Sequence, residues 1–132
     1  MKEIGLRLAL GLLWLLHWLP LPWLAALAHR LGSLLYHVAG SRRKVGLRNL
    51  ELCYPQASAA QRRAWARETF VRFCQAWLDR SWLWSAPQAV VRARVQLHGA
   101  LHELEGDAPT ILFAPHFYGM DAGGLALPLH TT

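Results

Sequence analysis

A charge-free stretch near the start constrains this chain more than any other feature. No Asp, Glu, Lys or Arg lies between Arg7 and His29, and the segment Leu8 to Ala28 is dominated by Leu, Ala and Trp. A spanning helix needs about 20 apolar residues, so the length is close to what a bilayer crossing requires. Pro20 and Pro22 interrupt it. Proline lacks a backbone N–H and turns the residue before it away from helix. An uninterrupted helix is therefore expected over about Ile4 to Leu19, and a second from about Pro22 to Val38. At ~1.5 Å rise per residue the first covers roughly 24 Å, short of a bilayer core of about 30 Å. A short or kinked span, a helix lying in the interface and a buried core helix all stay open. A cleaved signal peptide fits worst, because no small-residue cleavage site precedes a polar mature start. Trp14, Trp18 and Trp23 suit a lipid–water boundary.

Composition points the same way. The chain is 54% hydrophobic with seven Trp, while its charged share, 17%, falls below the usual quarter. The formal net charge is +6. Nucleic-acid binders carry a polar, basic surface. Here Arg dominates, the only lysines are Lys2 and Lys44, and an apolar N-terminus adjoins the basic residues. Anionic lipid fits that balance better than nucleic acid. Arg42, Arg43, Lys44 and Arg48 cluster just after the apolar region, as they do on a cytoplasmic face. Cys53 and Cys74 have no metal-site or disulfide-framework spacing and read as reduced, buried thiols.

Three further helical segments are expected. Arg43 to Leu50 reads as helical, with Val45, Leu47, Leu50 and Leu52 as packing residues and Tyr54-Pro55 as the stop. Ser58 followed by Gln61 forms a capping box for a helix from about Ala59 to Trp84. There Ala66, Phe70, Phe73, Trp77 and Trp84 are spaced as one apolar face. Trp82 and Trp84 are also candidates for membrane contact, with core packing the favoured role. Ala100 to Glu105 reads as one or two helical turns, and Gly106-Asp107 as a turn.

From Val90 the pattern changes toward strand. Arg94 to His98 alternates apolar and polar residues, and Thr110 to Phe113 is a short apolar run suited to a strand buried on both faces. The run leads into Ala114-Pro115-His116-Phe117-Tyr118-Gly119-Met120-Asp121, with Gly123 and Gly124 beyond. In α/β folds ligands gather past the carboxyl ends of strands, which places His116 where an active site belongs. Five residues along a single helix turn about 500°, so His116 and Asp121 meet only if His116 sits in the loop and Asp121 in the first helical turn. A His and an Asp at this spacing form a weak signal by themselves; the apolar run before and the glycines after strengthen it.

Together these residues resemble a known family. His116 and Asp121 after an apolar strand look like the His-x4-Asp/Glu motif of the lysophospholipid acyltransferase superfamily. The N-terminal apolar segment, Arg43-Lys44-Val45 with Asn49-Leu50 and Cys53-Tyr54-Pro55, the Trp-rich helix, and Val95-x-Leu97-x-Gly99 with Leu101-x-Glu103 narrow the resemblance to the lipid A late acyltransferases. It spans nearly the whole chain. One departure is the acid itself: Asp121 stands where many members have Glu.

The resemblance implies an α/β fold, with residues 1–40 a membrane anchor and amphipathic helix and residues 41–132 the start of an acyltransferase domain. It implies acyl-carrier protein as donor, a lipid A precursor as acceptor, and a place at the bacterial inner membrane with the catalytic side cytoplasmic. His116 would be the general base and Asp121 its orienting partner. No Ser, Cys or Thr adjoins the pair, so no acyl-enzyme is expected. No cofactor or metal is implied; His98, His102 and His116 lack ligand spacing. Family members continue well past the motif, so the chain is expected to be an incomplete, inactive N-terminal portion. A glycerolipid acyltransferase and a non-enzymatic membrane-binding fragment are the alternatives.

Overall fold

The computed structural model describes residues 2–105, 109–115 and 117–130. Among the described residues six α-helices follow one another: α1 (Lys2–Leu16), α2 (Leu21–Val38), α3 (Gly40–Cys53), α4 (Ala59–Ser85), α5 (Gln88–Arg94) and α6 (Met120–His130). A single 3-10 turn, Leu101–Leu104, lies between the last two. The chain divides into two compact units, one of residues 1–18 and 79–132, the other of residues 19–78.

Among the described residues there is no strand, which corrects the expected α/β fold. Arg94 is the last residue of α5, and Val95 to His98 form no strand, although Val95 itself is extended. Thr110 to Phe113 also form no strand, with Ile111 96% and Phe113 86% exposed, while the Thr110 Oγ1 donates to the Glu103 carbonyl at 3.2 Å. The reason is physical: a strand exists by its hydrogen bonds to a neighbour, and no described segment lies alongside to supply them. The Gly106-Asp107 turn falls outside the described residues.

The reading of the N-terminal segment as a membrane span is corrected too. Among the described residues no helix is long and apolar enough to cross a membrane. Proline sets the limit. Pro20 is the residue before α2 and Pro22 lies in its first turn, where a missing N–H costs nothing, so the pair that ends α1 also starts α2. Trp23 and Leu24 donate their backbone N–H groups to the Pro20 carbonyl at 2.9 and 3.2 Å. The 15 residues of α1 are left with Leu6, Leu8, Leu12, Trp14 and Leu15 exposed, so apolar side chains cover it all round.

In the unit of residues 19–78, α2 packs on α4 through small residues. Leu24, Ala28 and Gly32 are the buried residues of α2, and Ala66 and Val71 are buried on α4. A Cβ on Gly32 would lie 2.4 Å from the Val71 Cα and 2.8 Å from the Phe70 carbonyl oxygen, so the two backbones touch where Gly32 sits. Tyr36 stacks edge-on against Phe70 at 5.7 Å, and Arg67 donates to the Ser33 Oγ at 2.9 Å. This contact selects a different face of α4 from the expected one. Ala66 is buried as anticipated, but Phe73 and Trp77 are exposed, and Val71 and Leu78 are buried in their place; in the part of α4 that belongs to the other unit Trp84 is exposed and Trp82 and Leu83 are buried. Trp82, a candidate for membrane contact, is thus interior, while Trp84 is outward.

The capping box forms as the sequence implies. The Gln61 backbone N–H donates to the Ser58 Oγ at 3.2 Å, and the Ser58 N–H donates to the Gln61 Oε1 at 2.8 Å. Helix α3 has no buried residue; Val45 and Leu52, expected to pack, are outward. Cys53 is exposed, against the expectation of a buried thiol; Cys74 is half-buried, and desolvation pushes its thiol above the usual range.

Gly32→Ala should cost about 1–3 kcal/mol, the usual penalty for forcing atoms into a packed contact. Gly46→Ala, where a Cβ meets nothing, should be neutral or stabilising by up to ~1 kcal/mol. Chemical denaturation followed by circular dichroism measures both; equal effects would contradict a backbone contact at Gly32.

Candidate active site

Residues 109–115 have no regular secondary structure; a turn at Tyr118 and Gly119 precedes α6, which begins at Met120. The turn is closed by the Met120 N–H donating to the Phe117 carbonyl at 3.2 Å and the Gly123 N–H donating to the Gly119 carbonyl at 3.0 Å. Asp121 falls in the first turn of α6. A carboxylate there is favoured by the positive end of the helix dipole. This is the position the spacing argument demands of Asp121. His116 lies outside the described residues, so its meeting with Asp121 is not described. Partial burial pushes the Tyr118 phenol above its ordinary range.

Asp121 has a partner that the sequence reading missed. The Arg80 guanidinium donates from Nη2 to the Asp121 Oδ2 at 2.5 Å. Arg80 sits near the end of α4, its side chain 20% exposed against 37% for Asp121. It also stacks over Trp84, 5.8 Å from the ring centroid. An arginine in so apolar a stretch, between Trp77 and Trp84, needs an anion because an unmatched part-buried charge is costly. That need was legible in the sequence; which carboxylate meets it, in another helix far along the chain, was not. A carboxylate has two oxygens and about four acceptor sites, so Arg80 on Oδ2 does not by itself exhaust Asp121.

Neighbouring contacts hold α6 in the same unit. Ala126 is fully buried, Arg92 donates to the Leu129 carbonyl, and the His130 ring meets the Val95 carbonyl at 3.0 Å. Arg94 lies over the Trp82 ring at 5.2 Å, and the Trp82 Nε1 donates to Asp79 at 3.0 Å. Among the described residues no three His, Cys, Asp or Glu side chains cluster as metal ligands would.

The family model for bacterial lipid A biosynthesis acyltransferases matches residues 1–132. The chain therefore belongs to that family. It is 31% identical over 124 residues, 91% of its length, to the lipid A biosynthesis palmitoleoyltransferase of Escherichia coli strain K12. The same identity relates it to a lipid A biosynthesis acyltransferase of Shigella flexneri, and 29% over 119 residues to the Escherichia coli lauroyltransferase. The chain spans about 40% of the length of these relatives. No solved structure matches it.

Arg80→Ala should loosen α6, and the loss should vanish when Asp121 is already Ala. A double-mutant cycle on unfolding should return a coupling of about 1 kcal/mol, between the values for exposed and buried pairs. Additive effects would mean that the ion pair does not hold the helix.

Proposed function

We propose that this chain carries the base and the orienting carboxylate of an acyltransferase that moves a fatty acyl chain from acyl-carrier protein to a hydroxyl of a lipid A precursor. The observation that carries the reading is Asp121, set in the first turn of α6 with Arg80 on its Oδ2, next to the turn that follows His116. The names of the relatives support a lipid A precursor over a glycerolipid as acceptor. The exposed apolar surface of α1 and the basic excess support work at the cytoplasmic face of the inner membrane, in contact with the bilayer.

The chemistry follows from the pair. His116 takes the proton of the acceptor hydroxyl as its oxygen attacks the thioester carbonyl. The tetrahedral intermediate collapses, the C–S bond breaks, and the imidazolium returns the proton to the departing thiolate. Ester and free thiol are the products, with no acyl-enzyme. Asp121 fixes the imidazole tautomer and stabilises its charged form, the task of the carboxylate in a Ser-His-Asp triad, while the substrate supplies the hydroxyl. Arg80 is a positioning residue, acting through Asp121.

His116→Ala, in an enzyme of the family's full length that carries this segment, should lower turnover roughly 10²–10⁴-fold, the usual worth of general base catalysis. Labelled acyl-carrier protein and a lipid A precursor provide the assay. Near-normal turnover would remove His116 from the mechanism.

A further inference from the structure

In the unit of residues 19–78, α3 and the start of α4 line an open cleft of about 360 Å³. Lys44, Arg48 and Glu51 line it from α3, and Arg62 and Arg63 from α4, so four cations surround one carboxylate. Their inventory is uneven. Arg48 is bound to the Glu51 Oε2 at 2.6 Å, which holds that carboxyl below the ordinary range, with the Arg62 charge adding to the effect. Arg62 donates to the carbonyls of Tyr54 and Ala57 at 3.4 and 2.5 Å, closing the turn between the helices. Among the described residues neither Lys44 nor Arg63 has an ion-pair or hydrogen-bond partner. The Ser58–Gln61 capping box sets the start of α4, so the cleft has a fixed wall.

Size and surroundings say what the excess charge is for. The cleft is open to solvent and large enough to admit a phosphate group. Val45 and Leu52, 58% and 62% exposed, follow Lys44 and Glu51 in the chain. They form the next stripe of α3, about 100° round the helix. A basic stripe beside an exposed apolar stripe is the pattern of a helix at a charged bilayer surface.

We propose that this cleft is a binding site for the phosphate of an anionic phospholipid headgroup, taken from the bilayer surface by Lys44 and Arg63, with Val45 and Leu52 against the acyl boundary. The site does not depend on the acyl chemistry above. Its role is to seat the unit on anionic membrane.

The test is flotation of the purified chain with vesicles of phosphatidylcholine alone and with vesicles that also contain phosphatidylglycerol. The wild-type chain should prefer the anionic vesicles. Lys44→Gln with Arg63→Gln should cut that preference roughly thirtyfold, about fivefold for each basic residue near a surface, and leave binding to neutral vesicles unchanged. Arg7→Gln with Arg30→Gln removes the same charge elsewhere and should largely keep the preference. Lys44→Arg with Arg63→Lys should keep it too, which separates lost charge from lost fold. Equal loss in the two Gln pairs would mean diffuse attraction and would overturn the site. Tight binding of inorganic phosphate without a preference for anionic vesicles would make the ligand soluble phosphate and overturn the lipid assignment. Absent vesicle preference with saturable binding to an acidic protein would overturn it as well.

Discussion

Helix α6 carries Gly123, Gly124 and Pro128 within its 11 residues. Each glycine costs about 1 kcal/mol relative to alanine in a helix interior, and a proline there about 3. Such a segment does not hold its shape alone; it needs tertiary contacts. The Arg80–Asp121 ion pair ties its first turn, buried Ala126 anchors its middle, and Arg92 and His130 fasten its end to and just beyond α5. The position of Asp121 therefore depends on a charge delivered from the end of α4. Function and packing share one contact: the carboxylate that steadies the helix is the one proposed to orient the base.

The unit of residues 19–78 rests on a different constraint, the approach of two backbones. With Gly32 and Ala28 on α2, α4 comes in close enough that no side chain fits between Gly32 and Val71. That approach decides which α4 residues are interior, and it leaves Phe73 and Trp77 outward. Beyond Arg7, α1 carries no charge and leaves Leu8, Leu10, Leu12, Trp14 and Leu15 exposed, so much apolar surface lies outward. A bilayer surface can cover such groups without any helix crossing it.

How much the sequence disclosed varied with the range of the forces involved. Local rules worked well. Pro20 and Pro22 divided α1 from α2, the capping box began α4, Tyr54-Pro55 closed α3, and Asp121 fell in the first turn of a helix. Features that need a distant neighbour did not come through. The apolar run at Thr110–Phe113 looks like a buried strand because its composition is that of one, yet strand pairing depends on a partner that the run itself does not specify. The buried face of α4 was misread because periodicity alone does not weigh the room made by Gly32. Arg80 was overlooked because its carboxylate lies on α6.

Membership in the lipid A biosynthesis acyltransferase family joins these observations. A transferase working on lipid needs a base held in place and a surface that meets the membrane. In the proposed reading the Arg80–Asp121 contact answers the first need, and the exposed apolar and basic residues the second. The central claim is that Asp121 acts through His116. It is tested most directly by a kinetic double-mutant cycle in an enzyme of the family's full length carrying this segment. Asp121→Asn, His116→Ala and the double variant would be compared by kcat/KM with acyl-carrier protein donor. If the two residues work as one unit, their effects are strongly non-additive and the double variant is no slower than His116→Ala alone. Multiplying effects would show that Asp121 contributes independently of His116 and would contradict the pairing.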